Sequence, residues 1–241
     1  MRRAVIQAYV GKVIPWWMAK CISTVKEWCA KNGVDYIWYD TAPKTIEARF
    51  GMKEVPHLFF QKFEWIAATK GYDSLMWVDT DVMVQGNPQF NWESGFTIEN
   101  RQREYDKVEM SYPQGGLFFG TRVYEMTQWV IDQSYLPWPE RHDIVNYLVS
   151  AWNFKRPNIT VYDQNFIGLW IDLHGHTEVN QKNYLLWGRR PYDCEQDCFI
   201  HFIAPRPHEY VDKNKVVQYQ QYLILRLWQK KERSKHAFNK K

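Results

Sequence analysis

The segment Leu75-Met76-Trp77-Val78-Asp79-Thr80-Asp81-Val82-Met83-Val84 constrains this chain more than any other. It is apolar on both sides of two aspartates, the composition of a strand covered on both faces of a sheet. Read as one continuous strand, it places Asp79 and Asp81 on the same face, about 7 Å apart along the backbone. Carboxylates set in such surroundings are costly to desolvate unless something compensates them. The sequence therefore asks for a cation or a cluster of donors beside the pair, and a divalent metal with oxygen ligands meets the demand with one ion. The other reading is a strand end at the surface, its acids solvated or salt-bridged.

The rest of the chain supplies a matching frame. At 241 residues, with 45% hydrophobic and 24% charged side chains, one α/β domain is expected, and disordered, collagen-like and coiled-coil chains are excluded. Ala4 to Tyr9 and Val34 to Tyr39 read as buried strands; between them Trp16 to Lys31 has helical spacing and stops at Asn32-Gly33. Pro56 opens a helix through Phe59, Phe60, Phe63, Ile66 and Ala67, which ends by Gly71 and feeds the strand Leu75 to Val78. Gly116 to Phe119 reads as a further strand entering a helix at about Thr121, Asp163 to Leu173 as a helix with Asp163 available as its cap, and Phe199 to Ile203 as a late strand. Strands alternating with helices predict a mostly parallel central sheet flanked by helices, with its ligand beyond the carboxyl ends of the strands.

Several classes of partner drop out. No apolar run reaches the 18 or so residues of a membrane span, and Gln7 ends the N-terminal apolar stretch far short of a signal peptide, so a cytoplasmic chain is expected. Four cysteines are too few for a disulfide framework; Cys21 and Cys29 share a predicted helix about 12 Å apart. Asn158-Ile159-Thr160 matters as a glycosylation acceptor only in a secreted chain. The formal charge of +4 comes largely from Lys230, Lys231, Arg233, Lys235, Lys240 and Lys241. A near-neutral body argues against a nucleic-acid surface. The tail, with helical apolar spacing from Val216 to Trp228 before its basic end, packs on the body or forms a peripheral anchor on anionic lipid. Aromatic residues reach 17%, a stock of flat rings that suits sugars and bases, although most must belong to the core.

Five segments in order resemble a known family. Lys62-Phe63-Glu64-Trp65-Ile66 and Tyr72-Asp73-Ser74-Leu75-Met76-Trp77-Val78-Asp79-Thr80-Asp81 resemble the helix and DxD strand of GT-A glycosyltransferases, most closely the small retaining enzymes of glycosyltransferase family 8 and related bacterial and viral proteins. Gln114-Gly115-Gly116-Leu117-Phe118-Phe119-Gly120 resembles that family's Asn-Ala-Gly strand, Asp163-Gln164-Asn165 its Asp-Gln-Asp helix start, and His201-Phe202-Ile203-Ala204-Pro205-Arg206-Pro207 its His-x-x-Gly-x-x-Lys-Pro segment. The resemblance implies a GT-A-like domain over residues 1–208, followed by a C-terminal helix and basic tail over 209–241.

It further implies a nucleotide-sugar donor, UDP-glucose or UDP-galactose, whose diphosphate is bridged to Asp79, Asp81 and His201 by Mn²⁺ or Mg²⁺, and a glycan or other acceptor. An imidazole ligand favours Mn²⁺, because Mg²⁺ prefers oxygen. Donor contacts are implied for Ala8, Tyr9, Lys62, Thr80, Gln114, Gly115, Gly116 and Arg206, and places beside the reacting carbon for Asp163 and Gln164. Glutamine is a poor nucleophile, which fits stabilisation of a same-face transfer better than a covalent intermediate. Three departures from the family stand out: Ala204 replaces its glycine, the basic Arg206 comes one position early, and the loop Ala8-Tyr9-Val10-Gly11 lacks its acidic residue. A Cys194-x-x-x-Cys198-x-x-His201 zinc site fits no common finger spacing. A metal-dependent sugar nucleotidyltransferase lacks its Gly-rich basic phosphate loop here, and a non-catalytic sugar-nucleotide-binding protein is the remaining alternative.

Overall fold

The opening βαβ pattern is realised in the computed structural model, which describes residues 1–43, 56–105, 108–134, 163–179, 184–187 and 197–202. Strand β1 (Arg3–Ala8) lies parallel to β2 (Asp35–Tyr39), with helix α1 (Trp16–Asn32) between them in the chain. Gly33 ends α1 in the left-handed conformation (φ 61°) and its N–H closes the helix on the Cys29 carbonyl, the role expected of the Asn32-Gly33 stop.

The chain divides into two compact units. The first comprises Met1–Val10, Val34–Val78 and Asn91–Val179. Its six-stranded sheet runs in the order β2, β1, β3 (Ser74–Val78), β6 (Val108–Gly120), β5 (Thr97–Tyr105), β7 (Thr177–Glu178). β1 is parallel to both β2 and β3, and β5 to β7, whereas β6 runs antiparallel to β3 and β5. All five residues of β3 are buried, as the apolar run Leu75 to Val78 demands of its last four. Helices α2 (Pro56–Ala68), α3 (Val123–Ser134) and α4 (Asp163–His174) bring Phe63, Ile66, Met126, Val130, Phe166 and Trp170 into one core with Ile6, Trp77 and Phe118. Each such side chain contributes about 1.5–3 kcal/mol by leaving water. Trp65 stacks on Trp77 with ring centroids 6.1 Å apart and planes at 5°.

The second unit, Gly11–Gly33, Asp79–Phe90 and Asn180–Lys241, has α1 and a three-stranded sheet in the order β4 (Val82–Gln85), β9 (Cys198–Phe202), β8 (Tyr184–Trp187). Thr24 ties helix to sheet: its hydroxyl accepts from the Val84 N–H at 2.8 Å and donates to the Cys21 carbonyl at 2.7 Å. Trp28 donates to the Pro88 carbonyl at 3.0 Å and meets Phe199 edge to face. Cys21, Cys29 and Cys198 are free thiols.

Two expectations are corrected. The apolar run across the aspartates is two strands in different sheets: β3 ends at Val78, β4 begins at Val82, and Asp79-Thr80-Asp81 forms a turn closed by the Val82 N–H on the Asp79 carbonyl at 3.2 Å. A ladder position would have enclosed the carboxylates, whereas the turn leaves both half-exposed. The strand expected over Gly116 to Phe119 is the end of the much longer β6, whose hairpin with β5 carries too many charged residues to read as buried strand. Among the described residues no helix is long and apolar enough to cross a membrane.

Two glycines test this backbone. Gly33→Ala meets no atom within 4 Å and should lose only the left-handed conformational preference, about 1–2 kcal/mol in urea denaturation. Gly120→Ala, at φ 136° with its new methyl driven into the carbonyl oxygens of Gly95 and Ser94, should lose about 3 kcal/mol or more in the same measurement.

Candidate metal centre

The antiparallel pairing of β4 with β9 sets His201 opposite Val82, the residue after Asp81. The Phe202 N–H reinforces that register on the Asp81 carbonyl at 3.1 Å. Turn and strand together bring His201 Nε2 within 3.2 Å of Asp81 Oδ1 and 3.8 Å of Asp79 Oδ2, and one donor atom from each of the three residues lies within 4.8 Å of the others. The imidazole is buried, its side chain 4% exposed, while those of Asp79 and Asp81 are 33% and 29% exposed. Two carboxylates and one imidazole around an open side suit a divalent ion that keeps further positions for another ligand. The three residues named from the sequence as metal ligands are thus brought together, on a turn and a strand rather than on one strand face. Thr80 lies half-buried at the middle of that turn.

The second unit also contains a neighbour that the sequence did not point to. Cys21, on α1, shares a buried cluster with Met83, Cys198, Ile200 and Phe202. Burial pushes its thiol well above the ordinary thiol range, and the Asp81 charge adds to the shift. Burial likewise pushes the Cys29 thiol up to about 12. Nothing in a lone cysteine on an amphipathic helix signals such proximity, because the contact is made by strands far along the chain.

The remaining candidates that the structure describes belong to the first unit. Lys62 is buried on α2, paired with Asp163 at 2.6 Å and donating to the Gly115 carbonyl at 3.0 Å. Asp163, the first residue of α4, is buried with it, and Gln164 beside it is half-buried. Gly115 and Gly116 are buried positions of β6, and Gln114 pairs in its ladder with Glu99. At the end of β1, Ala8 packs on the core and pairs with Tyr39, while the half-buried Tyr9 donates its N–H to the Tyr39 carbonyl at 2.9 Å. Arg206, the 209–241 tail, the glycosylation sequence at Asn158 and Cys194 lie outside the described residues.

Among solved structures, the chain is similar to a glycosyltransferase involved in the glycosylation of the major capsid of PBCV-1, at 14% identity and a TM-score of 0.54, over 92% of this chain and all of that one. The fold is GT-A-like. It is the α/β architecture, with a mostly parallel six-stranded sheet flanked by helices, that the motifs imply. The galactosyltransferase LgtC, solved with donor and acceptor sugar analogues, superposes at a TM-score of 0.49 and 10% identity over 90% of this chain and 95% of its own. GlyE of Streptococcus pneumoniae does so at 0.48 and 12% identity over 96% of this chain and 65% of its own. No family model and no curated protein matches the chain.

This geometry makes two outcomes measurable. In calorimetric titration with Mn²⁺ alone, His201→Ala and Asp81→Asn should each weaken binding by at least about tenfold, as befits removal of a ligand. At pH 8, where both raised thiols stay protonated in the fold, Cys21 and Cys29 should resist iodoacetamide in the native protein and react once it is unfolded, as read by mass spectrometry.

Proposed function

We propose that this chain is a metal-dependent glycosyltransferase that moves a hexose from a nucleoside-diphosphate sugar, UDP-glucose or UDP-galactose, to a glycan or other acceptor with retention of anomeric configuration. The observation that carries the reading is the convergence of Asp79, Asp81 and His201 within 4.8 Å in a GT-A-like fold. The glycosylation role of the PBCV-1 protein supports the reaction class.

The donor set fits Mn²⁺ better than Mg²⁺, since imidazole binds the softer ion more readily. When bound, the ion supplies Lewis-acid stabilisation of the negative charge that grows on the diphosphate leaving group. Asp79, Asp81 and His201 would hold it, two half-exposed carboxylates and one buried imidazole. Gly115 and Gly116 belong to the donor subsite in this reading, the missing Cβ of Gly115 making room for Asp163 and Lys62 beside it. Gln164 is the group proposed beside the transferred sugar: the carbonyl dipole of an amide can face the positive charge developing at the anomeric carbon without attacking it, which favours same-face transfer. Residues 1–208 form the catalytic part in this reading, and 209–241 a C-terminal helix and basic tail that packs on the body or contacts anionic lipid.

The test is hydrolysis of UDP-glucose and UDP-galactose in the absence of acceptor. With Mn²⁺ the protein should slowly release free sugar and UDP, and Asp81→Asn should lower that rate by at least about 100-fold while leaving Tm unchanged. Pyrophosphate chemistry would instead indicate a nucleotidyltransferase. Stabilisation by the sugar nucleotide with no turnover would indicate a binding protein.

A further inference from the structure

The small sheet that carries the candidate metal centre is open at β4, whose one strand partner among the described residues is β9. Along an antiparallel pair the main chain turns its polar groups alternately toward the partner and away from it. The Asp81 carbonyl takes the Phe202 N–H, which puts Asp81 and Met83 toward β9 and turns Val82 and Val84 outward. Neither outward N–H is left without a partner. Val82 donates to the Asp79 carbonyl at 3.2 Å within the turn, and Val84 donates to the Thr24 hydroxyl of α1 at 2.8 Å.

Thr24 is 1% exposed, and its own proton is committed to the Cys21 carbonyl at 2.7 Å, so the oxygen is left to accept. The same stripe of α1 meets the segment after β4 at two further points: Trp28 donates to the Pro88 carbonyl at 3.0 Å, and Asn32 to the Asn87 side chain at 2.8 Å. Apolar alternation alone does not fix the register. It forbids a slip of one residue, but a slip of two keeps every side chain on its own face. Such a slip would move His201 about 7 Å along the pair, opposite Thr80 or Val84 rather than Val82. Helix α1 is the common reference for both strands, since Cys21 shares a buried cluster with Cys198, Ile200 and Phe202 of β9. A slipped β4 would therefore carry its Val84 N–H out of reach of Thr24.

We propose that Thr24 is a positioning residue of the metal centre: by taking the Val84 N–H, its hydroxyl fixes β4 in the one register that sets Asp79 and Asp81 against His201. The inference deepens the glycosyltransferase reading and rests on it for the ion, whereas the pin itself belongs to the fold. Thr24 supplies no ligand in this role; it acts through the main chain of β4. Removing the hydroxyl at constant shape leaves a buried N–H unpaired, and the strand end relieves that cost by shifting.

The experiment compares Thr24→Val, which keeps the shape and removes the hydroxyl, with Thr24→Ser, which keeps the hydroxyl and removes a buried methyl. Each should lower Tm by about 3 °C. In calorimetric titration with Mn²⁺ alone, Thr24→Val should bind about tenfold more weakly than the wild type, and Thr24→Ser within about twofold of it. In NMR hydrogen exchange without metal, the Phe202 amide should exchange about tenfold faster in Thr24→Val and stay within about twofold of the wild type in Thr24→Ser. Unchanged Mn²⁺ affinity in Thr24→Val, or equal weakening in both variants, would overturn the proposal, because a role in stability alone follows Tm and not the hydroxyl. Should Thr24→Val not fold, exchange in the wild-type protein decides: matched protection of the Val84 and Phe202 amides supports the pin. A Phe202 amide that opens more than about tenfold more often than that of Val84 overturns it, since the register would then give way while the Thr24 contact holds. A wild-type protein that binds no Mn²⁺, with Phe202 exchange still dependent on the hydroxyl, would instead overturn the metal-dependent reading and leave the pin standing.

Discussion

The pairing of β4 with β9 is the contact on which the candidate centre depends. Main-chain hydrogen bonds fix which residue faces which, and a slip of one position would turn every side chain of a strand to the opposite face. In the observed register His201 stands across from Val82, and the Phe202 N–H reaches the Asp81 carbonyl. The imidazole can then reach both carboxylates. The sheet's own stability supports that register from behind: Cys198, Ile200 and Phe202 alternate into a cluster with Met83 and Cys21, while Phe199 meets Trp28. Apolar packing thus determines where the polar donors fall.

The same division of labour holds in the first unit. β3 is buried along its whole length between β1 and β6, and the apolar core around Trp77 and Phe118 fixes where the strand must end. Desolvation then forces the chain to turn. Asp79 and Asp81 cannot continue the buried ladder at tolerable cost, and the turn leaves both carboxylates half-exposed. The one charged pair that the first unit does bury among its candidate residues, Lys62 with Asp163, is compensated within itself and by the Gly115 carbonyl.

Much of this was legible in the sequence, for identifiable reasons. The end of α1 at Asn32-Gly33, the buried run of β3 and the parallel β1–β2 pair are written in local residue patterns. The expectation that the two aspartates hold an ion came from the cost of carboxylates among apolar neighbours, and the inclusion of His201 came only through resemblance to a family. The turn at Asp79-Thr80-Asp81 was not legible, because alternation continues smoothly across it and only the separate sheets on either side reveal the break. The burial of Lys62 was hidden for a similar reason: its partner lies about a hundred positions away, and a lysine on a helix carries no mark of the carboxylate it will meet. The β5–β6 hairpin was missed because β5 is rich in charge and the first half of β6 carries no apolar run, so pairing rather than apolar pattern marks them.

The separation of Asp81 from His201 along the chain has a consequence for biosynthesis. A ribosome releases the two aspartates long before it has made β9, and until that strand docks on β4 the carboxylates have no imidazole behind them. A nascent chain can therefore complete its first parallel strands without acquiring the full set of groups that would grip an ion. The three-residue cluster is thus completed late in translation, by the closing of a small sheet rather than by the folding of the larger one.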